Sequence, residues 1–93
     1  MYAIFNHFEI QMTRNQAESA SHPGPCDSDV RDLLNDRKIA RQLDKIAPEK
    51  IAAELKEYGA WDETELADHQ ANRERIIWIA ASDISEELAT KGR

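Results

Sequence analysis

The last third of the chain has the clearest pattern of hydrophobic and polar positions. The run Ile76-Ile-Trp-Ile-Ala-Ala81 is apolar on nearly every face of a helix, whereas the residues before it are polar on most faces. Asp62 and Glu65 have the spacing of a capping box, in which each side chain accepts a backbone N–H of the other residue. The pattern predicts one long helix over residues 62–88, whose apolar half is enclosed by other elements or by a second chain.

The middle of the chain, residues 13–58, repeats apolar positions at helical spacing, but only over short stretches. Thr13-Arg-Asn-Gln16 has the spacing of a second capping box, and Asp36 can cap a further helix start. Pro48 suits a first helical turn, where its missing N–H costs nothing. Gly59 stands where a left-handed residue ends a helix. This part of the chain therefore predicts several short helices.

Residues 2–12 alternate instead of following a helical period. The even positions are apolar except for Asn6, and these apolar residues are Tyr2, Ile4, Phe8, Ile10 and Met12. A period of two predicts a half-buried strand, and no second segment alternates in this way. We expect this strand to pair with the strand of a second copy; a partner protein or an arm across the helices are alternatives.

Together these patterns predict a mainly α fold of four to five helices with a long C-terminal helix and an N-terminal extended β-strand. The 93 residues suit a single domain over residues 1–93, with a strand or arm over 1–12. Uncharged runs such as Ile76–Ser82 are far too short to span a bilayer. No basic flank precedes an apolar run at the N-terminus, and Cys26 has no cysteine to pair with. We therefore expect a cytoplasmic protein with no membrane contact.

The net charge of −6 is unevenly distributed along the chain. Basic side chains gather between Arg37 and Lys45, and acidic ones between Glu54 and Asp68. An acidic chain attracts phosphates poorly, so we expect no direct binding to nucleic acid. Residues 54–66 have the outline of a helix-turn-helix, but the acids at the start of its second helix would be repelled by DNA.

The candidates for metal or catalytic chemistry are few. His22 and Cys26 share one proline-rich loop, and His7, Asp68 and His69 could approach one another in space. The spacing of these residues matches no CxxC, HExxH or calcium-loop pattern. No glycine-rich anion loop accompanies the cysteine and histidine. We therefore expect no catalytic residue, metal or cofactor, and keep a small metal- or thiol-dependent enzyme as the less favoured alternative.

The best candidates for function are residues of a protein interface. Carboxylates near a helix C-terminus oppose the helix dipole, which draws attention to the acids of the last helix. A row of such acids could enter a basic groove of a nucleic-acid-binding protein, or could simply be a solvated face balanced by Arg73, Arg75 and Lys91. Aromatic residues beside the Gly59 turn are a second signal. The candidate interface residues are Tyr58, Trp61, Glu74, Asp83, Glu86 and Glu87.

Three strings of the sequence carry a resemblance. YGAWDETELADHQANRERIIWIAASDISEE, HFEIQMT and ESASHPGPCDSDV resemble a set of short proteins of phages, prophages and other bacterial mobile elements. The likeness covers most of the chain, and it implies a bacterial cytosolic setting and an accessory role in a mobile element. By analogy with small acidic proteins of that kind, a host protein is the expected target.

The sequence thus leads to two functional hypotheses besides the enzyme. The first is a non-catalytic, acidic protein-binding module that modulates a host protein. A homodimer is a possible form of this module. The second is an acidic nucleic-acid mimic that inhibits a DNA- or RNA-binding host defence protein. In both cases the partner is a protein.

Overall fold

The computed structural model describes residues 2–20 and 27–91 of the chain. Within these ranges the chain forms two antiparallel strands and six helices. In chain order they are β1 (Tyr2–Ile4), β2 (Glu9–Gln11), α1 (Arg14–Ala20), α2 (Asp27–Asn35), α3 (Arg37–Asp44), α4 (Pro48–Tyr58), α5 (Glu63–Leu66) and α6 (His69–Lys91). The mainly α fold with a long C-terminal helix is confirmed. None of these helices is long and apolar enough to cross a bilayer.

Helix α6 lies at the centre of the hydrophobic core. Ile76, Ile77, Ala80 and Ala81 are fully buried, and Trp78 is half-buried beside them. The helix packs against α1, α2, α4 and β1. The enclosure expected of the apolar run is therefore confirmed, and this chain's own elements supply it.

The expectation of one helix over residues 62–88 is wrong. The predicted capping box is present, because Glu65 N–H donates to Asp62 Oδ1 at 2.8 Å and Asp62 N–H donates to Glu65 Oε1 at 3.2 Å. However, this box starts only the short helix α5. A second cap follows, since Asp68 Oδ1 accepts the N–H of Ala71 at 3.1 Å and α6 begins there.

Asn72 fixes the junction between α5 and α6. Its side chain is 1% exposed, and its Nδ2 donates to the carbonyl oxygen of Leu66 at 2.8 Å. Its Oδ1 accepts from Arg75 Nη1 at 2.9 Å, and the Arg75 guanidinium lies 5.3 Å from the ring centroid of Trp61. The buried carbonyl of Leu66, at the end of α5, thus accepts a hydrogen bond from the side chain of Asn72. In a continuous helix a backbone N–H group would donate that bond.

The local signals of the shorter helices are confirmed. Thr13 and Gln16 form the expected capping box at 2.9 and 3.2 Å. Asp36 caps α3 by accepting two backbone N–H groups, and Pro48 opens α4. Gly59 ends α4 with a φ of 73°, the left-handed conformation that side chains disfavour.

The N-terminal segment is a hairpin, so the expectation of a single strand is wrong. β1 and β2 pair antiparallel with Ala3 opposite Ile10, and Phe5 N–H donates to the carbonyl of Phe8 at 2.8 Å across the turn. The turn at Asn6-His7 reverses which positions face the core. Buried side chains therefore occupy odd positions before the turn and even positions after it. The strand's partner comes from the same chain.

We predict that Asn72→Leu destabilises the protein by about 1–3 kcal/mol, because the buried carbonyl of Leu66 loses its donor. Urea unfolding followed by circular dichroism measures the change. Gln70→Leu is the matched control, since Gln70 is exposed on the same helix. Equal midpoints for the two variants would show that the Asn72 bond does not support the junction.

Candidate protein-binding surface

The large hydrophobic side chains that stay exposed in the described residues gather on one side of the molecule. They are Tyr2, Ile4 and Tyr58, which are 49%, 72% and 49% exposed. Tyr2 and Ile4 share the solvent face of β1, because alternate residues of a strand point the same way. Ile4 and Tyr58 line one shallow depression of about 290 Å³, together with Phe5, Asn6, Glu54 and Glu57. The depression brings the hairpin and α4 into one surface.

Two hydrogen bonds hold the hairpin turn against α4. Glu54 is 3% exposed, and its Oε1 accepts the backbone N–H of His7 at 3.1 Å. Glu57 Oε2 accepts from Asn6 Nδ2 at 2.6 Å. The two glutamates lie three residues apart and so project from the same side of α4. Their bonds fix β1 relative to Tyr58, which follows Glu57 directly.

Nearby acidic groups affect the ionisation of the Tyr58 hydroxyl. Partial burial raises the pKa of Tyr58 above its ordinary value, and the carboxylates of Asp83, Glu54 and Glu57 raise it further. The pKa of Asp83 is itself raised, first by partial burial and then by the charge of Glu86. We define the Tyr58 surface as the apolar side chains of Tyr2, Ile4 and Tyr58 with the acidic groups of Glu54, Glu57 and Asp83.

The structure brings together only some of the interface residues that the sequence suggests. Tyr58 and Asp83 belong to the Tyr58 surface, and the exposed Glu86 lies one helical turn after Asp83 on α6. Glu87 is also exposed, one helical turn beyond Asp83. Trp61 is half-buried beneath Arg75 and is not part of the surface.

Glu74 does not join the other acids of α6. Nine residues separate it from Asp83, which at about 100° per residue places the two side chains on opposite sides of the helix. Its carboxylate lies 3.7 Å from Arg31 Nε of α2. The row of acidic residues predicted along one side of this helix therefore contains only Asp83, Glu86 and Glu87.

Tyr2 and Ile4 are the surface residues that the sequence did not reveal as exposed. Their even positions placed them on the same buried face as Ile10 and Met12. The turn at Asn6-His7 separates the two pairs, so that only Ile10 and Met12 are buried. Asparagine between alternating apolar residues is a turn signal. A turn at Asn6 predicts that Tyr2 and Ile4 face the solvent.

The structure bears on only part of the other candidate chemistry. His22 and Cys26, the possible thiol–imidazole pair, lie outside the described residues. In the part of the chain that the structure describes, no three His, Cys, Asp or Glu side chains are placed to hold a metal ion. The acids at the start of α5 are exposed, as the sequence-based argument against DNA binding supposed.

Comparison of the chain with protein-family models, with curated protein sequences and with solved structures gives no significant match.

We predict that Asp83→Asn lowers the pKa of Tyr58, because a nearby negative charge opposes formation of the tyrosinate. The pKa stays above its ordinary value, since burial is the larger cause. Ultraviolet absorbance at alkaline pH measures it in a Tyr2→Phe background, which leaves Tyr58 as the one remaining tyrosine. Asp32→Asn on α2 is the control, and an equal pKa in both variants would contradict this geometry.

Proposed function

We propose that this protein is a non-catalytic protein-binding module of a bacterial mobile element, and that it modulates a host protein through the Tyr58 surface. The clustering of Tyr2, Ile4 and Tyr58 carries the proposal. Large exposed hydrophobic residues are unremarkable when scattered, whereas a contiguous patch rimmed by polar groups is typical of an interaction site. Tyrosine suits this role because it offers a large contact area and a hydroxyl group that tolerates water.

The acidic rim favours a basic partner. Glu57 and Asp83 lie beside the apolar centre, and the whole chain carries a net charge of −6. A partner with lysine or arginine around an apolar contact would be attracted over a distance and held in one orientation. Salt weakens such an attraction, so we expect binding to decrease as ionic strength rises.

The resemblance to phage and prophage proteins supports the setting of the proposal. It favours the bacterial cytoplasm and a host protein as the target. The structure adds a surface on which such a target could bind.

The nucleic-acid mimic is our second candidate, and one observation favours it. Asp83 and Glu86 are close enough for the charge of Glu86 to raise the pKa of Asp83, so negative charge is concentrated on this part of α6. A basic groove that normally holds phosphates could accept these acids together with Glu87. The mimic predicts that Asp83, Glu86 and Glu87 matter for binding and that Tyr58 and Ile4 do not.

We predict that immobilised protein retains a partner from a bacterial lysate, and that Tyr58→Ala and Glu57→Lys each reduce its recovery severalfold. Loss of the aromatic contact weakens the first variant, and charge repulsion weakens the second. Glu49→Lys is the matched control, because it makes the same charge change on the same helix outside the Tyr58 surface.

The variants also separate the two candidates. If the partner is lost only when the charges of Asp83, Glu86 and Glu87 are reversed, the nucleic-acid mimic is the correct hypothesis and the binding module is wrong. Equal recovery with all variants, or no retained protein at all, would contradict binding through this surface.

A further inference from the structure

The two outer edges of the hairpin differ in the described structure. The pair Phe5–Phe8 is hydrogen-bonded across the turn, and hydrogen-bonded pairs alternate with non-bonded pairs along an antiparallel ladder. Ala3–Ile10 is therefore a bonded pair, whereas Tyr2–Gln11 and Ile4–Glu9 are not. The backbone N–H and C=O groups of the residues in those two pairs point outward.

A side chain covers the outer edge of β2 at Gln11. Gln11 N–H donates to Gln42 Oε1 at 2.6 Å, and Gln42 Nε2 donates to the carbonyl of Gln11 at 2.8 Å. The amide of Gln42 thus makes the two bonds that a neighbouring strand would make. Such protection is how proteins prevent unwanted strand pairing.

The outer edge of β1 has no such cover. No residue of the described ranges makes a hydrogen bond to the outward backbone groups of Tyr2 or Ile4. Their side chains are also the exposed apolar residues of this face. An uncovered edge that carries large apolar side chains is a template for the addition of another strand.

Charge also differs between the two edges. Lys38 and Arg41 of α3, with Lys45 at the C-cap of that helix, line the depression beside Gln11 and Gln42 on the β2 side. Glu54 and Glu57 line the depression beside Ile4 on the β1 side. A strand added at β1 therefore meets negative charge at the turn end of the hairpin.

We propose that the outer edge of β1 binds an extended segment of the protein partner, by strand addition, and that a lysine or arginine of this segment lies against Glu57. The inference rests on the proposed function and gives it a binding mode. The backbone of Tyr2 and Ile4 supplies the hydrogen bonds, and the side chains of Tyr2, Ile4 and Tyr58 supply the apolar contact.

Charge favours this occupant over a second copy of the chain. Residues 2–12 contain no lysine or arginine, so the β1 strand of a second copy would bring neither side chain to Glu57. The basic residues that line the β2 side belong to α3 and its C-cap, and a helix cannot extend a ladder. Two chains of net charge −6 also repel each other.

A titration of the ¹⁵N-labelled protein with a short peptide of alternating valine and lysine tests the proposal. We expect the amide signals of Tyr2 and Ile4 to shift, while that of Gln11 stays because Gln42 already holds it. The same peptide with glutamate in place of lysine should cause no shift. Absence of a shift at Tyr2 and Ile4 with the lysine peptide up to millimolar concentration would overturn strand addition.

Two pairs of variants test the backbone and the charge separately. Ile4→Pro removes the outward N–H at an edge position where proline is tolerated, whereas Ile4→Thr keeps it. Only the proline variant should lose the peptide-induced shift at Tyr2. Glu57→Gln should weaken binding of the lysine peptide about two- to fivefold, which is the range of an exposed ion pair. Glu49→Gln should leave this affinity unchanged. Equal affinity for these two glutamine variants would remove Glu57 from the proposal.

The same samples decide between the peptide and a second copy. Sedimentation equilibrium should give a monomer without peptide. A dimer that Ile4→Pro dissociates would assign the edge to a second copy and overturn the proposal. If the lysate partner depends on Tyr58 while the lysine peptide leaves Tyr2 and Ile4 unshifted, the binding module stands and strand addition fails.

Discussion

The attachment of the hairpin to the helices is the interaction on which the rest of this structure depends. Ala3, Phe5 and Ile10 are buried against the core that α6 organises, and the turn is held to α4 through Glu54. A two-stranded hairpin alone is at best marginally stable in water, so this packing keeps the strands paired. Because one face of the hairpin is committed to the core, Tyr2 and Ile4 must face the solvent.

This arrangement links a structural requirement to a surface property. A carboxyl group as buried as that of Glu54 costs free energy unless it finds a hydrogen bond, and the N–H of His7 supplies one. The same bond sets β1 beside Tyr58 and Glu57, so that apolar and acidic groups meet in one place. Gln42 covers the other edge of the hairpin at Gln11, whereas no described residue makes a hydrogen bond to the outward backbone groups of β1.

Features encoded by neighbouring residues could be predicted from the sequence. The capping boxes at Thr13 and Asp62, the left-handed Gly59 and the buried run Ile76–Ala81 each depend on residues a few positions apart. The hairpin was not predicted, because its first strand buries odd positions and its second strand buries even positions. The apolar residues at even positions therefore look like one continuous alternation across Asn6. The interruption before α6 was missed because Asn72 interacts with Leu66 through its side chain, and a polar helix face gives no sign of that bond.

The candidate site was predicted in part for a similar reason. Tyr58 and Asp83 lie in it, but they meet through the packing of α4 on α6, which no local pattern specifies. Glu74 was misplaced because acids were grouped by sequence instead of by helical angle. Tyr2 and Ile4 were assigned to the core through the false single strand, so the uncovered edge could not be recognised before the hairpin was known.

Amide hydrogen exchange in the free protein, followed residue by residue by NMR, tests the central claim most directly. The account predicts that Ala3 and Ile10, which pair across the hairpin, exchange slowly, while Tyr2 and Ile4 exchange at nearly the rate of an unprotected peptide. Slow exchange at Tyr2 and Ile4 in the dilute, unliganded protein would show that this edge is already covered, and would contradict the account.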